Sequence, residues 1–114
     1  MFSIRRAAEF DAVFKRGKRL FSACFALCYL KTERDYPRLG MMISKKQCAL
    51  AVRRNRIKRI TREHFRLHQQ ELTGFDVVVW LRSSTKAISD QEQTECLKNL
   101  FAQLLTQCGG SVFN

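Results

Sequence analysis

The stretch from Ala49 to Leu67, ALAVRRNRIKRITREHFRL, decides the fold, because its apolar residues recur at the spacing of a helix. We predict a helix from about Ala49 to His68, ended near Thr73 and Gly74. At about 100° per residue, one side of this helix is apolar and can pack on a sheet. That side consists of Ile57, Ile60, His64 and Leu67.

The opposite side of the same helix is basic. It consists of Arg54, Asn55, Lys58, Arg59, Arg62 and Arg66. The planar guanidinium of arginine can bind two phosphate oxygens at once, and Asn55 adds a neutral group that both donates and accepts. Arg56 falls on the flank, where it can instead reach a neighbouring loop or strand. Lys45 and Lys46, just before the helix, extend the basic side toward the helix N-terminus, where backbone N–H groups attract anions.

The positive charge of the chain is concentrated in this window. The 114 residues include 21 Lys and Arg against 10 Asp and Glu, a net charge of +11. Between Lys45 and Arg66 there are nine basic residues and one acid, a net charge of +8, which leaves +3 for the rest. A charged helix face is often only solvated, but Glu63 alone cannot pair these arginines at i, i+4 spacing. The pattern indicates a nucleic-acid partner without distinguishing RNA from DNA.

Strands are predicted on both sides of the basic helix. Downstream, Phe75 to Leu81 is almost continuously apolar, which is typical of a central strand covered on both faces. Upstream, Lys18 to Leu30 favours either one bent strand or two short ones. The polar turn from Glu33 to Arg38 then leads to Leu39–Ser44, which we expect to be the second edge of a hairpin.

Two further helices are predicted at the ends of the chain. Ser3 is a candidate cap for a first helix, which carries apolar residues at helical spacing and stops at Gly17. These residues are Ala7, Phe10, Val13 and Phe14. Ser89 and Glu92 form a possible capping box for a last helix, closed by Gly109 and Gly110. Its apolar side consists of Cys96, Leu97, Leu100, Phe101, Leu104 and Leu105.

The predicted order is α-β-β-β-α-β-α, which gives an α+β fold, a two-layer α/β sandwich with a mixed four-stranded sheet. We expect one domain over residues 1–114, because the chain has room for one core and shows no repeat or linker. No stretch is apolar enough for a membrane span or a secretory signal, so we expect a cytoplasmic protein.

Other function classes receive little support. The five cysteines are odd in number and contain no CxxC pair, so neither a disulfide framework nor a zinc knuckle is indicated. A protein nuclease would need clustered carboxylates or a histidine pair. Here the acids are scattered, His64 falls on the packing side and His68 lies near the helix end. A ribosomal or other RNA- or DNA-binding module that uses the same helix is the main alternative.

The segment from Leu39 to Arg66, LGMMISKKQCALAVRRNRIKRITREHFR, resembles the motif IGxxxSKKxxxxAVxRNRIKRxxRExFR of the bacterial ribonuclease P protein subunit. The resemblance extends to Glu9–Phe14, to the strand Phe25–Leu30 and to the strand Asp76–Trp80. It implies the element order given above, a ribosomal protein S5 domain 2-like fold and a left-handed crossover through the basic helix.

The resemblance also implies a function. Family members bind a catalytic RNA and the 5′ leader of precursor tRNA, and magnesium ions held by the RNA subunit hydrolyse the phosphodiester. Such a protein is the accessory subunit of an endoribonuclease, with no catalytic residue, metal site or cofactor of its own. Its partners would be the ribonuclease P RNA and precursor tRNA, with no membrane and no obligate protein partner.

Residue roles follow from the matching positions. The expected contacts to the RNA subunit are Arg54, Asn55, Arg56, Lys58, Arg59 and Arg62, with Ser44, Lys45, Lys46 and Arg66 at the margin. The expected leader-binding cleft consists of Phe10 and Phe14 on the first helix and Tyr29 on the sheet. Aromatic faces beside basic groups stack on unpaired nucleotides of any sequence. Phe10 and Phe14, four residues apart, could equally be core residues.

Overall fold

A computed structural model describes residues 2–82, 84 and 88–108. Within these residues a short strand precedes the predicted order of elements. The elements are β1 (Phe2–Ser3), α1 (Ala7–Arg16), β2 (Lys18–Phe21), β3 (Phe25–Lys31), β4 (Arg38–Met42), α2 (Ala51–Leu67), β5 (Phe75–Leu81) and α3 (Asp90–Cys108). No helix in the described ranges is long and apolar enough to cross a membrane.

The strands form one mixed five-stranded sheet in the order β1-β4-β5-β3-β2. β4 runs parallel to both of its neighbours, whereas β3 is antiparallel to β5 and to β2. The predicted α+β class, the mixed sheet and the central position of β5 are confirmed. The sheet has five strands rather than four because Phe2 and Ser3 pair with Arg38 and Leu39 of β4. α2 connects β4 to β5, two adjacent parallel strands.

The segment Lys18–Leu30 forms two strands, one of the two alternatives. The break falls after Phe21, where the backbone N–H of Ser22 donates to the carbonyl of Phe25 at 2.9 Å. The predicted hairpin between β3 and β4 is wrong, since β5 lies between them and pairs with both. A long apolar strand gains most when both of its edges are paired and both faces are covered.

Ser3 does not cap α1, because it belongs to β1. The residue before the helix is Arg6, and the cap is formed from inside the first turn. The carboxylate of Glu9 accepts hydrogen bonds from the backbone N–H of Arg6 at 3.2 Å and of Arg5 at 3.4 Å. A carboxylate at this end also interacts favourably with the helix dipole.

The helices cover the sheet on opposite faces. α2 and α3 pack on the face formed by alternate residues such as Leu27 and Val79, in the larger core cluster. α1 packs on the other face through Val13, which lies against Cys28 and Val78. The strand period of two therefore decides which side chains can meet α1 and which can meet the other two helices.

Two glycines allow α1 to lie close to the sheet. A Cβ at Gly17 would come within 2.5 Å of the carbonyl oxygen of Val13 and 2.7 Å of that of Tyr29. A Cβ at Gly40 would lie 2.8 Å from the ring of Phe10. Phe10 is thus seated directly on the backbone of β4.

α3 confirms the predicted amphipathic helix. The hydroxyl of Ser89 accepts from the backbone N–H of Glu92 at 3.1 Å and donates to the Glu92 carboxylate at 3.2 Å. Leu97, Leu100 and Leu104 are fully buried. The predicted end at Gly109 and Gly110 lies outside the described residues. All five cysteines are free, and Cys24, Cys28 and Cys48 are buried.

Candidate nucleic-acid interface

The inner side of α2 differs in part from the predicted one. Ile57 is fully buried as expected, but the other fully buried side chains are Thr61 and Phe65. Leu67 is 64% exposed, so its assignment to the packing side is wrong. The centre of the fully buried residues lies about 80° round the helix from the centre of the predicted side, at 100° per residue.

His64 is a packing residue, as predicted. Its ring stacks on Phe101 of α3 at 5.3 Å between centroids and 16° between planes. Burial, together with the nearby His68, lowers the pKa of His64 below its usual value. The neutral imidazole is therefore the favoured form in this contact.

The arginines of α2 fall into two groups. Those that face α3 are bound within the protein: Arg56 Nη2 donates to Thr94 Oγ1 at 2.7 Å and to the carbonyl of Asp90 at 3.1 Å. Arg53, which the sequence did not single out, donates to Asp90 Oδ1 at 3.2 Å and to the carbonyl of Ile88 at 2.9 Å. These contacts join α2 to the start of α3.

Arg54 also has an internal contact. Its Nη1 donates to the carbonyls of Cys48 at 2.8 Å and Ala49 at 2.9 Å, which fixes the turn that leads into α2. The side chain remains half-exposed at the edge of the basic side. Arg54 and Arg56 thus stabilise the fold locally, whatever else they contact.

The second group points away from the protein. Asn55, Arg59, Arg62 and Arg66 are exposed and Lys58 is half-exposed, along one side of α2. Among the described residues none of these five side chains makes a hydrogen bond or an ion pair, and Glu63 pairs with none of them. Lys45 and Lys46 are likewise exposed, in the turn before the helix. We call these seven residues the basic face: Lys45, Lys46, Asn55, Lys58, Arg59, Arg62 and Arg66.

A groove with aromatic walls lies on the α1 side of the sheet. It has a volume of about 370 Å³ and is lined by Phe14, Arg19, Met42 and Trp80. The rings of Phe14 and Trp80 meet edge to face, 5.3 Å apart at 84°. The guanidinium of Arg19 lies 5.8 Å from the centre of the Phe14 ring, within cation–π range.

The structure separates the three residues of the predicted cleft. Phe14 lines the groove, and Phe10 lies on the same face, half-buried over Gly40. Tyr29 is on the opposite face, only 8% exposed, with its ring 6.1 Å from that of Phe75. The sequence reasoning missed Arg19 and Trp80. In the structure Arg19 pairs with Cys28 and Trp80 pairs with Ala26, and these side chains lie on the α1 side. Strand alternation in the sequence separates them from Tyr29 but does not show which group faces α1.

Metal-binding side chains are scattered over the described residues. No group of three or more His, Cys, Asp or Glu in these ranges could hold a metal ion. Burial, together with the neighbouring Cys96, raises the pKa of the Cys24 thiol to about 12. Such a thiol is protonated at neutral pH and is a poor nucleophile.

An α+β fold that presents an unpaired basic face is typical of nucleic-acid-binding proteins. The family model for ribonuclease P matches residues 2–105, so the chain belongs to the ribonuclease P protein family. It is thereby a protein subunit of a ribonucleoprotein endoribonuclease in tRNA processing.

Similar proteins agree with this assignment. The ribonuclease P protein component of Nitrosococcus oceani is 39% identical over 103 residues, which cover 90% of this chain and 87% of the relative. The solved ribonuclease P protein of Staphylococcus aureus is 28% identical, with a TM-score of 0.78 over 91% of this chain and 95% of that one. The Thermotoga maritima protein is 32% identical, with a TM-score of 0.70 over 90% and 97%.

Proposed function

We propose that the basic face binds the catalytic RNA of ribonuclease P. The observation that supports this is the contrast within one helix: arginines toward α3 have partners in the protein, whereas Arg59, Arg62 and Arg66 have none in the described chain. Exposed guanidinium groups one turn apart can each hold a phosphate of a folded RNA in a bidentate contact. Arg54 and Arg56, at the flanks, add positive charge to the same surface.

The groove of Phe14, Arg19 and Trp80 is the proposed site for the 5′ leader of precursor tRNA. Leaders differ in sequence between precursors, so the site has to accept any base. Stacking on an aromatic face, with a cation beside it, does this without base-specific hydrogen bonds. Phe10 positions α1 over Gly40 in this proposal, and Tyr29 lies outside the groove because it faces the other side of the sheet.

In this proposal the RNA subunit and its magnesium ions carry out the hydrolysis. The protein contributes positive charge, which lowers the repulsion between the phosphates of the catalytic RNA and those of the substrate. It thereby reduces the concentration of magnesium needed to bring the two RNAs together. The proposal includes a single domain that acts in the cytoplasm, binds no cofactor of its own and requires no other protein.

Reconstitution with a bacterial ribonuclease P RNA tests the proposal. Cleavage of a precursor tRNA is measured at low magnesium with and without the protein, and again at high magnesium. We expect strong stimulation at low magnesium and weak stimulation at high magnesium, because magnesium and the protein neutralise the same phosphates. Binding to duplex RNA or DNA without stimulation of the ribozyme would instead favour a ribosomal or DNA-binding module.

A further inference from the structure

A second basic cleft lies at the edge of the sheet, near the ends of α1 and α3, and its aromatic residues belong to the face opposite the groove. Its volume is about 340 Å³, within the range of sites that hold a small ligand. Lys18, Tyr29, Lys31 and Phe75 line it, and Arg16 and Gln107 complete its rim. We call it the Tyr29 cleft.

The floor of the Tyr29 cleft is aromatic with one polar group. The rings of Tyr29 and Phe75 lie 6.1 Å apart and are tilted by 55°. The Tyr29 ring is held in the core, 8% exposed, while its hydroxyl has no hydrogen-bond partner among the described residues. The hydroxyl is not a buried unpaired group: it reaches the surface of the cleft, where a ligand can bond to it.

The rim carries positive charge without acids. Arg16, Lys18 and Lys31 are exposed and form no ion pair within the described chain. No described acidic residue lines the cleft. Three cations around an aromatic floor favour a ligand with both phosphate and a planar base, which is an unpaired nucleotide.

The edge strand β2 links this cleft to the groove. Lys18 pairs with Tyr29 and Arg19 with Cys28, so the two neighbouring side chains point to opposite faces of the sheet. Arg19 lines the groove and Lys18 lines the Tyr29 cleft. β2 is the last strand of the sheet, and a nucleic-acid strand that leaves the groove at Arg19 can pass round this edge to Lys18.

We propose that the Tyr29 cleft binds an unpaired nucleotide of the 5′ leader, upstream of the nucleotides held in the groove. Lys18 and Lys31 hold the phosphates, the base lies against the aromatic floor, and the Tyr29 hydroxyl bonds to the base or sugar. The proposal rests on the leader-binding function of the groove. Continuity across β2 favours the leader over a segment of the catalytic RNA.

The test compares two precursor tRNAs, one with a short leader that ends inside the groove and one with a long leader that passes β2. Affinity for the reconstituted holoenzyme is measured for wild type and for Lys18→Ala/Lys31→Ala. We expect the double variant to lose roughly tenfold in affinity for the long leader, the scale of one lost stacked nucleotide with its phosphates. Affinity for the short leader should stay as in wild type. Lys98→Ala, which removes an exposed positive charge from α3, is the charge control. It should alter the affinity for neither leader.

Tyr29→Phe keeps the buried ring and removes only the hydroxyl, so it separates binding from folding. It should give a smaller loss that is again confined to the long leader. Equal losses for both leaders, or for mature tRNA, would overturn the leader assignment and point to the catalytic RNA. Unchanged affinity in the double variant would overturn the site altogether. If wild type failed to stimulate cleavage even of the short-leader precursor, the proposed function itself would be at fault.

Discussion

Arg38 and Asp76 form a bidentate ion pair across the adjacent parallel strands β4 and β5. Nε donates to Oδ1 at 2.9 Å and Nη2 donates to Oδ2 at 2.7 Å. The Asp76 side chain is 5% exposed and that of Arg38 is 11% exposed. Arg38 Nη1 also binds the carboxylate of Glu9 in the first turn of α1. The network links α1, which carries Phe14, to β4 and β5, which carry Met42 and Trp80. It thereby fixes these residues of the groove relative to one another.

Asp76→Asn tests the contribution of this network to stability. The amide keeps the volume but removes the charge that balances Arg38 and, at 3.3 Å, Arg34. We expect a loss of about 3 kcal/mol in the free energy of unfolding, the low end for removing one partner of a buried ion pair, because Glu9 still partners Arg38. Urea unfolding measures it. Asp35→Asn, at an exposed position in the preceding turn, is the control and should change stability by less than about 0.5 kcal/mol. An equal loss of stability in Asp76→Asn and Asp35→Asn would mean that the ion pair does not stabilise the fold.

Glu9 predicts an acid-sensitive contribution to stability. The hydrogen bond from Arg38, followed by that from the backbone N–H of Arg6, lowers the pKa of Glu9 from 4.5 to about 2. Because the folded state favours the ionised carboxylate, this contribution is complete above about pH 4.5 and is lost as the pH falls through about 2. Urea unfolding between these pH values should show a smaller pH dependence for Glu9→Gln than for wild type. Asp11→Asn, on the exposed side of the same helix, should leave the wild-type pH dependence in place.

The sequence predicts the central elements well because their patterns are unambiguous. The segment Phe75–Leu81 is almost continuously apolar, which predicts a buried strand. The predicted and observed bounds of this strand coincide. The inner side of α2 does not follow from the sequence in this way, since Phe65 and Leu67 are both apolar. Only the position of the neighbouring sheet buries one and exposes the other. The position of α3 likewise decides which arginines of α2 remain unpaired. Helical periodicity cannot predict this, because it describes one helix and not the packing of two.

Tyr29 shows the same limit in a strand. Alternation groups Tyr29 with Leu27 and separates it from Cys28, but it does not say which group faces α1. A shift of one residue along a strand moves a side chain to the other face of the sheet. An aromatic residue of β3 can therefore lie on the face away from the predicted leader-binding cleft. The prediction that Tyr29 joins Phe14 in one cleft failed for this reason.

Arg59→Ala and Arg62→Ala test the basic face. Both side chains are exposed and lack partners in the described chain, so their removal should not disturb the fold. Each variant should weaken binding to the catalytic RNA at low salt and reduce the slope of log K against log salt by roughly 0.9, the value for one phosphate contact on a duplex. Filter binding at several salt concentrations measures both effects.

Lys98→Ala is the matched control for these two variants, because it removes one exposed positive charge from α3, away from the basic face. It should leave the salt slope as in wild type. A slope unchanged in Arg59→Ala and Arg62→Ala, or lowered equally in Lys98→Ala, would mean that general attraction rather than phosphate contacts accounts for binding.

Phe14→Leu separates stacking from packing in the groove. Leucine keeps an apolar contact with Trp80 but removes the aromatic face that Arg19 approaches. Because Phe14 is only half-buried, this change should cost the fold less than the truncation of a buried Phe to Ala, which is about 3–5 kcal/mol. If leader nucleotides stack on Phe14, the holoenzyme should lose roughly five- to tenfold in affinity for precursor tRNA, within the range for one stacked base. Affinity for mature tRNA should not change, because mature tRNA has no leader. Thermal unfolding of the free protein serves as the check on folding, and equal losses for precursor and mature tRNA would assign Phe14 to the core alone.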